Sequence, residues 1–369
     1  MMGLRKVRVL KYLIWVTVFL LMSLDPLLAA KKSWSPVQVD VWDPPFNKEL
    51  KRDQKTYTAL VRAEKKWRIQ VFIPHLKDAY WLGVNYGLID QARTMGVGLT
   101  IHQAGGYGQL EVQRNQISGL LKKKGPKPDG VIICSISQDG LNDLVEKLMD
   151  QGIPVLDLIN GNSSPRLAAR VAVSYHDTGY AAGAYLLKYQ QKLGKPLSVG
   201  WFPGPDGAGW AAAGDVGFRE ALAGSAIRIL ASRKGDTGSA AQKQLVTSAL
   251  KNFPGQLDII VGTTVTAEVS IGILRKMGLK KKIGVLAYYY SPGVHRGIRR
   301  GDIMAAPSDH QVLQARLAID TLVRIIEKKT YDKHIAPRVT VVDRSNIRKW
   351  DSSTTLAPRG FRPVFSINE

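Results

Sequence analysis

The chain has 369 residues, with 52 Lys and Arg against 30 Asp and Glu, a formal charge of +22. Its single cysteine excludes an intramolecular disulfide, so stability must come from a core, which an apolar fraction of 45% can build. No helix-turn-helix or zinc spacing accompanies the positive charge, which sets nucleic acid aside as a partner, and the length suggests two lobes rather than one small domain.

Arg5, Lys6, Arg8 and Lys11 precede the apolar run Tyr12 to Leu24, and Ala29 and Ala30 follow it. This is the layout of a cleaved signal peptide over residues 1–30. Asp25-Pro26 interrupts the run before it reaches the roughly 20 residues that a spanning helix needs. Removal of this segment takes away four basic residues and one acid and leaves +19. Residues 31–66 read as an N-terminal arm of one or two strands, "VQVDVW" and "YTALVRA".

From residue 67 the pattern is regular. "RIQVFIP" is a strand, followed by a helix from Ala79 to Met95 that stops at Gly96. "VGLTIHQAGG", "DGVIICSIS", "IPVLDLIN" and "ARVAVSY" are the next strands, with helices after the first two and a helix from about Asp177 to Leu193 after the last. A second series then runs through "PLSVGWFPGP", "IRILASRKG", "LDIIVGTTV", "KIGVLAYYY" and "IMAAPSD", each strand followed by a helix, and the last helix is "HQVLQARLAIDTLVRIIEKK". The strands are continuous Val/Ile/Leu runs, the pattern of parallel sheets covered on both faces. Strand-helix alternation throughout makes the class α/β, with two doubly wound parallel-sheet lobes, a hinge and an interlobe cleft. Cys134, in the apolar "GVIICSIS", reads as a buried small hydrophobe.

In such folds ligands bind outside the carboxyl ends of the strands. Aromatic residues collect at those ends: Tyr80 and Trp81 after the first strand of the series, Tyr107 in "GGYGQL" after the second, Tyr175 and His176 after "RVAVS", Trp201 and Trp210 around "WFPGPDGAGW", and Tyr288 to Tyr290 in "AYYY". Trp201 and Tyr288 sit at strand positions compatible with core packing as well as with the cleft. The accompanying charges are few: Asp206, Asp309, Asp177 and His176. Aromatic walls with few charges suit a small methylated cation or dipole, since ring faces attract such groups from within about 6 Å. A sugar site would need a denser set of hydrogen-bonding side chains. No G-x-S-x-G, H-E-x-x-H or P-loop is present and the six histidines lack metal-ligand spacing, so neither an enzyme, a cofactor nor a metal is expected.

The stretches "KDAYWLGVNYG", "AGGYGQL", "FPGPDGAG", "GFREALAGS", "VHRGIRRGDIMAAPSD" and "GFRPVF" resemble the type I periplasmic binding proteins, and within them the TorT-like sensors of the trimethylamine N-oxide respiratory system. The resemblance implies a periplasmic, noncatalytic protein whose three crossovers fall near residues 174, 308 and 338. The N-terminal lobe would comprise residues 67–174 and 309–337, the C-terminal lobe 175–308 and 338–352, with a tail at 353–369. It implies a two-component signalling role, in which a small ligand is reported to the periplasmic sensor domain of a TorS-like membrane histidine kinase. The arm and the tail from Leu356 to Glu369 are candidate contacts for that kinase. The alternative within the same fold is a sugar or other solute receptor of an ABC transporter. The ligand-binding positions carried over are Tyr80, Trp81 and Tyr289, with Tyr175 in a fourth place; Tyr107, His176, Asp206 and Asp309 form a second tier. The departure lies at that fourth place, where Ser174-Tyr175-His176 stands for an expected proline and tryptophan, and Tyr290 stands for an aliphatic residue. Both changes would make the pocket more polar.

Overall fold

A computed structural model describes residues 33–46 and 52–367, so the expected signal peptide lies outside the described residues. The chain divides into two units, residues 1–36 and 37–369. Of the first, only 33–36 are described: the Ser33 hydroxyl donates to the Ser35 carbonyl ahead of a cis Ser35–Pro36 bond.

The second unit opens with β1 (Val37–Val41) and β2 (Asp53–Tyr57). The alternating unit then runs β3 (Arg68–Ile73), α1 (Ala79–Met95), β4 (Gly98–Gln103), α2 (Leu110–Lys122), β5 (Gly130–Ile133), α3 (Asn142–Asp150), β6 (Val155–Leu158) and β7 (Ala169–Val171). It continues through α4 (Tyr175–Leu193), β8 (Leu197–Phe202), α5 (Gly209–Leu222), β9 (Ile227–Ser232), α6 (Ser239–Asn252), β10 (Ile259–Gly262), α7 (Thr264–Lys276), β11 (Gly284–Ala287) and α8 (Pro292–Arg300). β12 (Ala305–Ser308), α9 (Gln311–Ile326), β13 (His334–Pro337), β14 (Thr340–Asp343) and β15 (Ser366–Ile367) close the chain.

Nine strands form one sheet in the order β15-β4-β3-β5-β6-β7-β13-β1-β2. Its six middle strands are parallel, and the added strands β15, β1 and β2 pair antiparallel. β11-β10-β8-β9 form a second, all-parallel sheet, and β12 pairs β14 antiparallel. The apolar runs explain this: β5 "GVII" and β10 "IIVG" are buried along their whole length, with helices on both faces. Each sheet carries its own core. Phe72, Val131, Val155 and Leu144 cluster in the first, Phe202, Ile260, Val285 and Val246 in the second. Cys134 is buried and free.

The chain leaves the first sheet after β7, returns to it between β12 and α9, and leaves it again between β13 and β14. At the second of these passages His310 takes the left-handed conformation (φ 53°), and its ring meets the Thr354 and Thr340 hydroxyls at 2.8 and 3.4 Å.

Three elements differ from the sequence reading. The second strand of the arm is Asp53–Tyr57, not "YTALVRA"; Thr58 to Ala63 are irregular, with the Leu60 amide donating to the buried Asp320 carboxylate (2.7 Å). The helix expected from Asp177 starts at Tyr175, because the Ser174 hydroxyl accepts from the Asp177 amide and caps it there. "YYY" lies beyond its strand, since β11 ends at Ala287.

Helices α4 and α5 meet backbone to backbone. A Cβ on Gly179 would stand 2.0 Å from the Gly214 carbonyl oxygen, and one on Gly217 would stand 1.9 Å from that of His176. Neither carbonyl can swing aside as a flexible side chain could. This contact fixes the start of α4, and with it Tyr175, against the start of α5. Gly179→Ala is expected to destabilise the protein by about 1–3 kcal/mol or more in urea denaturation; a variant as stable as the parent would show that the two helices can part freely.

Candidate functional site

Nine residues line a cavity at the carboxyl ends of the strands of both sheets. From the first sheet come Asp78, Tyr80 and Trp81 after β3, Tyr107 after β4 and Asn160 after β6. Trp210 after β8, Thr237 after β9 and Tyr289 after β11 come from the second, and Tyr175 comes from the passage between the sheets. The space between these residues is about 10 Å³, room for a single water at most. An occupant of several heavy atoms therefore requires the walls to part.

Local chemistry sets each wall. Asp78 caps α1, its Oδ1 accepting from the Tyr80 and Trp81 amides at 3.1 and 3.2 Å, and this fixes both aromatics on the first turn. Tyr80 packs edge-on against Tyr289 across the cleft, with centroids 5.4 Å apart and planes at 81°. Trp210 stands 5.8 Å from both Tyr175 and Tyr289 and 5.9 Å from Tyr107. Gly204, at φ 122°, makes room for this indole: a Cβ there would lie 2.5 Å from the ring.

A hydrogen-bonded chain runs behind the rings. The Tyr80 hydroxyl donates to Asp309 Oδ2 at 2.5 Å, so the 2.9 Å contact with Tyr175 takes its proton from Tyr175. Gln314 Nε2 donates to the same Asp309 oxygen (3.0 Å), and Gln314 Oε1 accepts from the Val173 amide (3.1 Å). The cavity wall is thereby tied to two passages between the sheets, at Val173 and at Asp309. Burial raises the Asp309 carboxyl to about 6, opposed by its hydrogen bonds, and its Oδ1 has no partner. Burial likewise raises Asp78 to about 6; the residue is partly exposed, yet its carboxyl is enclosed by protein. His75, beside Trp81 and Tyr107, is pushed down to about 4 by burial and is neutral at pH 7.

Of the residues picked from sequence, Tyr80, Trp81, Tyr175, Tyr289 and Tyr107 all line this cavity, and Asp309 stands one hydrogen bond behind it. His176 does not reach it. A helical step of about 100° from Tyr175 turns it outward, where Nε2 meets Glu220 at 2.8 Å. Asp206 lies on the loop after β8, its side chain 82% exposed and paired with Lys234 at 2.8 Å. Asp177 is drawn away by Arg52. Tyr290 is no pocket wall either: it packs against Trp350 (4.7 Å) and bonds His295 (3.0 Å), so the added polarity reduces to Tyr175. Trp201 and Tyr288 are core, the indole stacked on Phe218 at 4.1 Å and the phenol donating to the Pro203 carbonyl. Sequence reasoning passed over Asp78, Asn160 and Thr237 and left Trp210 unassigned. Asp78 was findable as the N-cap in "KDAYW"; Trp210 was among the strand-end aromatics but was given no place in the site.

A sequence profile of the periplasmic binding protein domain matches residues 69–330. The chain belongs to this family. Its members are binding proteins rather than enzymes, and their compartment is the periplasm. This periplasmic binding protein is 35% identical over 305 residues to the periplasmic protein TorT of Escherichia coli K12, spanning 83% of this chain and 86% of that one. Among solved structures, an ABC transporter solute binding protein from Bradyrhizobium sp. BTAi1 with bound bis-tris is 44% identical (TM-score 0.78; 90% of this chain, 99% of that one). The complex of the TorS sensor domain with TorT in the presence of TMAO matches at 29% identity (TM-score 0.73; 81% and 99%). An ABC transporter solute binding protein with bound D-fucose, from Agrobacterium vitis, shares the fold at 20% identity (TM-score 0.72; 79% and 100%).

Asp309 yields a pH prediction. Its ordinary value is 3.8 and its folded value about 6, so the folded state holds the proton more tightly. The stability it contributes is full below about pH 3.8 and is lost as pH rises through 6, at about 1.4 kcal/mol per unit. Between pH 4 and 7 the parent should lose about 2–3 kcal/mol relative to Asp309→Asn in urea denaturation. Parallel pH profiles for the two proteins would contradict the raised value.

Proposed function

We propose that this periplasmic binding protein is a sensor that holds a compact methylated nitrogen compound, trimethylamine N-oxide or a similar molecule, in the interlobe aromatic cage. In this reading the closed form is reported to the sensor domain of a TorS-like membrane histidine kinase, after export directed by residues 1–30. The observation that carries the proposal is the convergence of Tyr80, Trp81, Tyr107, Tyr175, Trp210 and Tyr289, drawn from both sheets, on one small cavity. Ring faces of this kind attract methylated cations and dipoles at ~0.5–2 kcal/mol each. Polar atoms come only from Asp78, Asn160, Thr237, the phenols and the two indole N–H groups, sparse for a ring of sugar hydroxyls. The similarity to TorT supports the kinase as partner.

We take the lobes as residues 67–174 with 309–337, and 175–308 with 338–352, because the three passages between the sheets fall at those limits. The ligand selects the closed form only through its higher affinity for it, and kinase and ligand must affect one another reciprocally.

A second reading is favoured by the 44% identity to the Bradyrhizobium solute binding protein: delivery of the ligand to an ABC permease. Both readings use the same cage, and bis-tris, like trimethylamine N-oxide, is a small nitrogen compound.

Two measurements test the proposal. In a thermal-shift panel of methylamines, N-oxides and sugars, at least one nitrogen compound should raise the melting temperature by several degrees, and Trp81→Ala should abolish that rise while leaving the unliganded protein folded. A sugar as the sole stabiliser would overturn the cage. The sensor domain of a TorS-like kinase should co-purify with it; recovery of a permease instead would establish the transport reading.

A further inference from the structure

The cavity contains polar groups that its own protein leaves unused. The Trp210 indole N–H is buried, the residue being 5% exposed, and it meets no acceptor. It lies near enough to the Tyr107 phenol to oppose the upward push of burial on that group, yet the two do not reach hydrogen-bond geometry. The benzo edge of the indole packs against the Gly204 backbone, where no Cβ crowds it. A buried donor without an acceptor is a standing cost that a ligand oxygen would relieve.

Asp78 also lines the cavity. Its Oδ1 is occupied by two amides of α1, and its Oδ2 has no protein partner among the described residues. Its electrostatic neighbours include Asp236 and Glu268, both acidic, and Asp309 stands behind Tyr80. Among the described residues none of these four carboxyls forms an ion pair with lysine or arginine within 4 Å. The nearby cations, Lys77 beside Gly106 and Arg296 facing Glu268, stay outside that distance. Six rings and the Asp78 carboxyl therefore line one small space, with Asp309 one hydrogen bond behind it and further acids rather than bases as the electrostatic neighbours of Asp78. Rings attract cations through their faces, and an unpaired carboxylate does so through its charge.

We propose that the cavity is built for a hydroxylated ammonium cation, with Asp78 and the rings opposing its charge and the Trp210 N–H donating to its hydroxyl oxygen. The inference rests on the cage reading and narrows it. Within the methylated nitrogen compounds it selects those with a full positive charge and an oxygen separated from the nitrogen, over the net-neutral N-oxide. Both polar groups are used at once only by a molecule that carries both features.

Calorimetric titration of the purified protein with four probes tests this. Choline carries charge and hydroxyl; 3,3-dimethylbutan-1-ol is its neutral carbon isostere; tetramethylammonium lacks the hydroxyl; trimethylamine N-oxide is net neutral. Choline should bind at least about tenfold more tightly than the isostere and the N-oxide, and about three- to tenfold more tightly than tetramethylammonium. Asp78→Asn keeps the helix cap and should reduce the preference for choline over its isostere severalfold, leaving only what the rings supply; an unchanged preference would overturn the role of Asp78. Trp210→Phe removes the N–H and should erase the preference for choline over tetramethylammonium, beyond any loss of affinity that both cations share. The N-oxide or the isostere binding as tightly as choline would overturn the proposal and leave the cage standing, and so would Trp210→Phe weakening all probes equally. Failure of all four to bind would overturn the proposal and the cage together.

Discussion

Tyr80 joins what the rest of the molecule keeps apart. The edge-to-face packing of its ring and Tyr289 brings a wall from the first sheet against one from the second, while its hydroxyl is held by Asp309 at a passage between them. Asp309 is in turn bonded by Gln314, which also accepts from Val173 at another passage. One side chain is thus wall, contact across the cleft and terminus of a chain reaching two hinge segments. If the lobes open, the ring contact goes first, and the buried hydroxyl pair with Tyr175 must find water or remain unpaired.

That arrangement costs stability. Two carboxyls are pushed up to about 6 by burial, and a tryptophan donor has no acceptor. Groups unfavourably buried in the unliganded closed form are the groups a ligand can satisfy, so the difference in affinity between open and closed states is largest where the protein alone is least content. The glycine-mediated contact of α4 with α5 keeps the frame rigid meanwhile, so that Tyr175 and Trp210 hold their spacing.

Much of this was legible in the chain. Buried parallel strands announce themselves as unbroken apolar runs, and the helix Ala79–Met95 was bounded correctly because Gly96 takes the left-handed conformation that ends it. The strand-end rule located six of the cavity residues for the same reason: in a parallel β/α sheet the loops after the strands all emerge at one end. It failed where position along the chain does not fix direction. Tyr175 and His176 are neighbours that a helix turns apart, and Tyr288, Tyr289 and Tyr290 leave their strand toward core, cavity and a far cluster in turn. Asp206 looked like a site acid, but the glycines around it project its loop into solvent, where Lys234 takes it. Asp78 was overlooked because a cap and a cavity acid look alike in sequence, and here one carboxyl serves as both. The edge strands β2 and β15 were beyond reading, since polar or very short strands depend on the partner they find.

The central claim is that a compact guest closes two hinged lobes upon a shared ring of aromatics. Small-angle X-ray scattering on the protein with and without a stabilising nitrogen compound tests this most directly. The account predicts a smaller radius of gyration on binding, lost in Tyr289→Ala, where the second lobe has nothing to grip. Calorimetrically measurable binding with an unchanged scattering profile would contradict it.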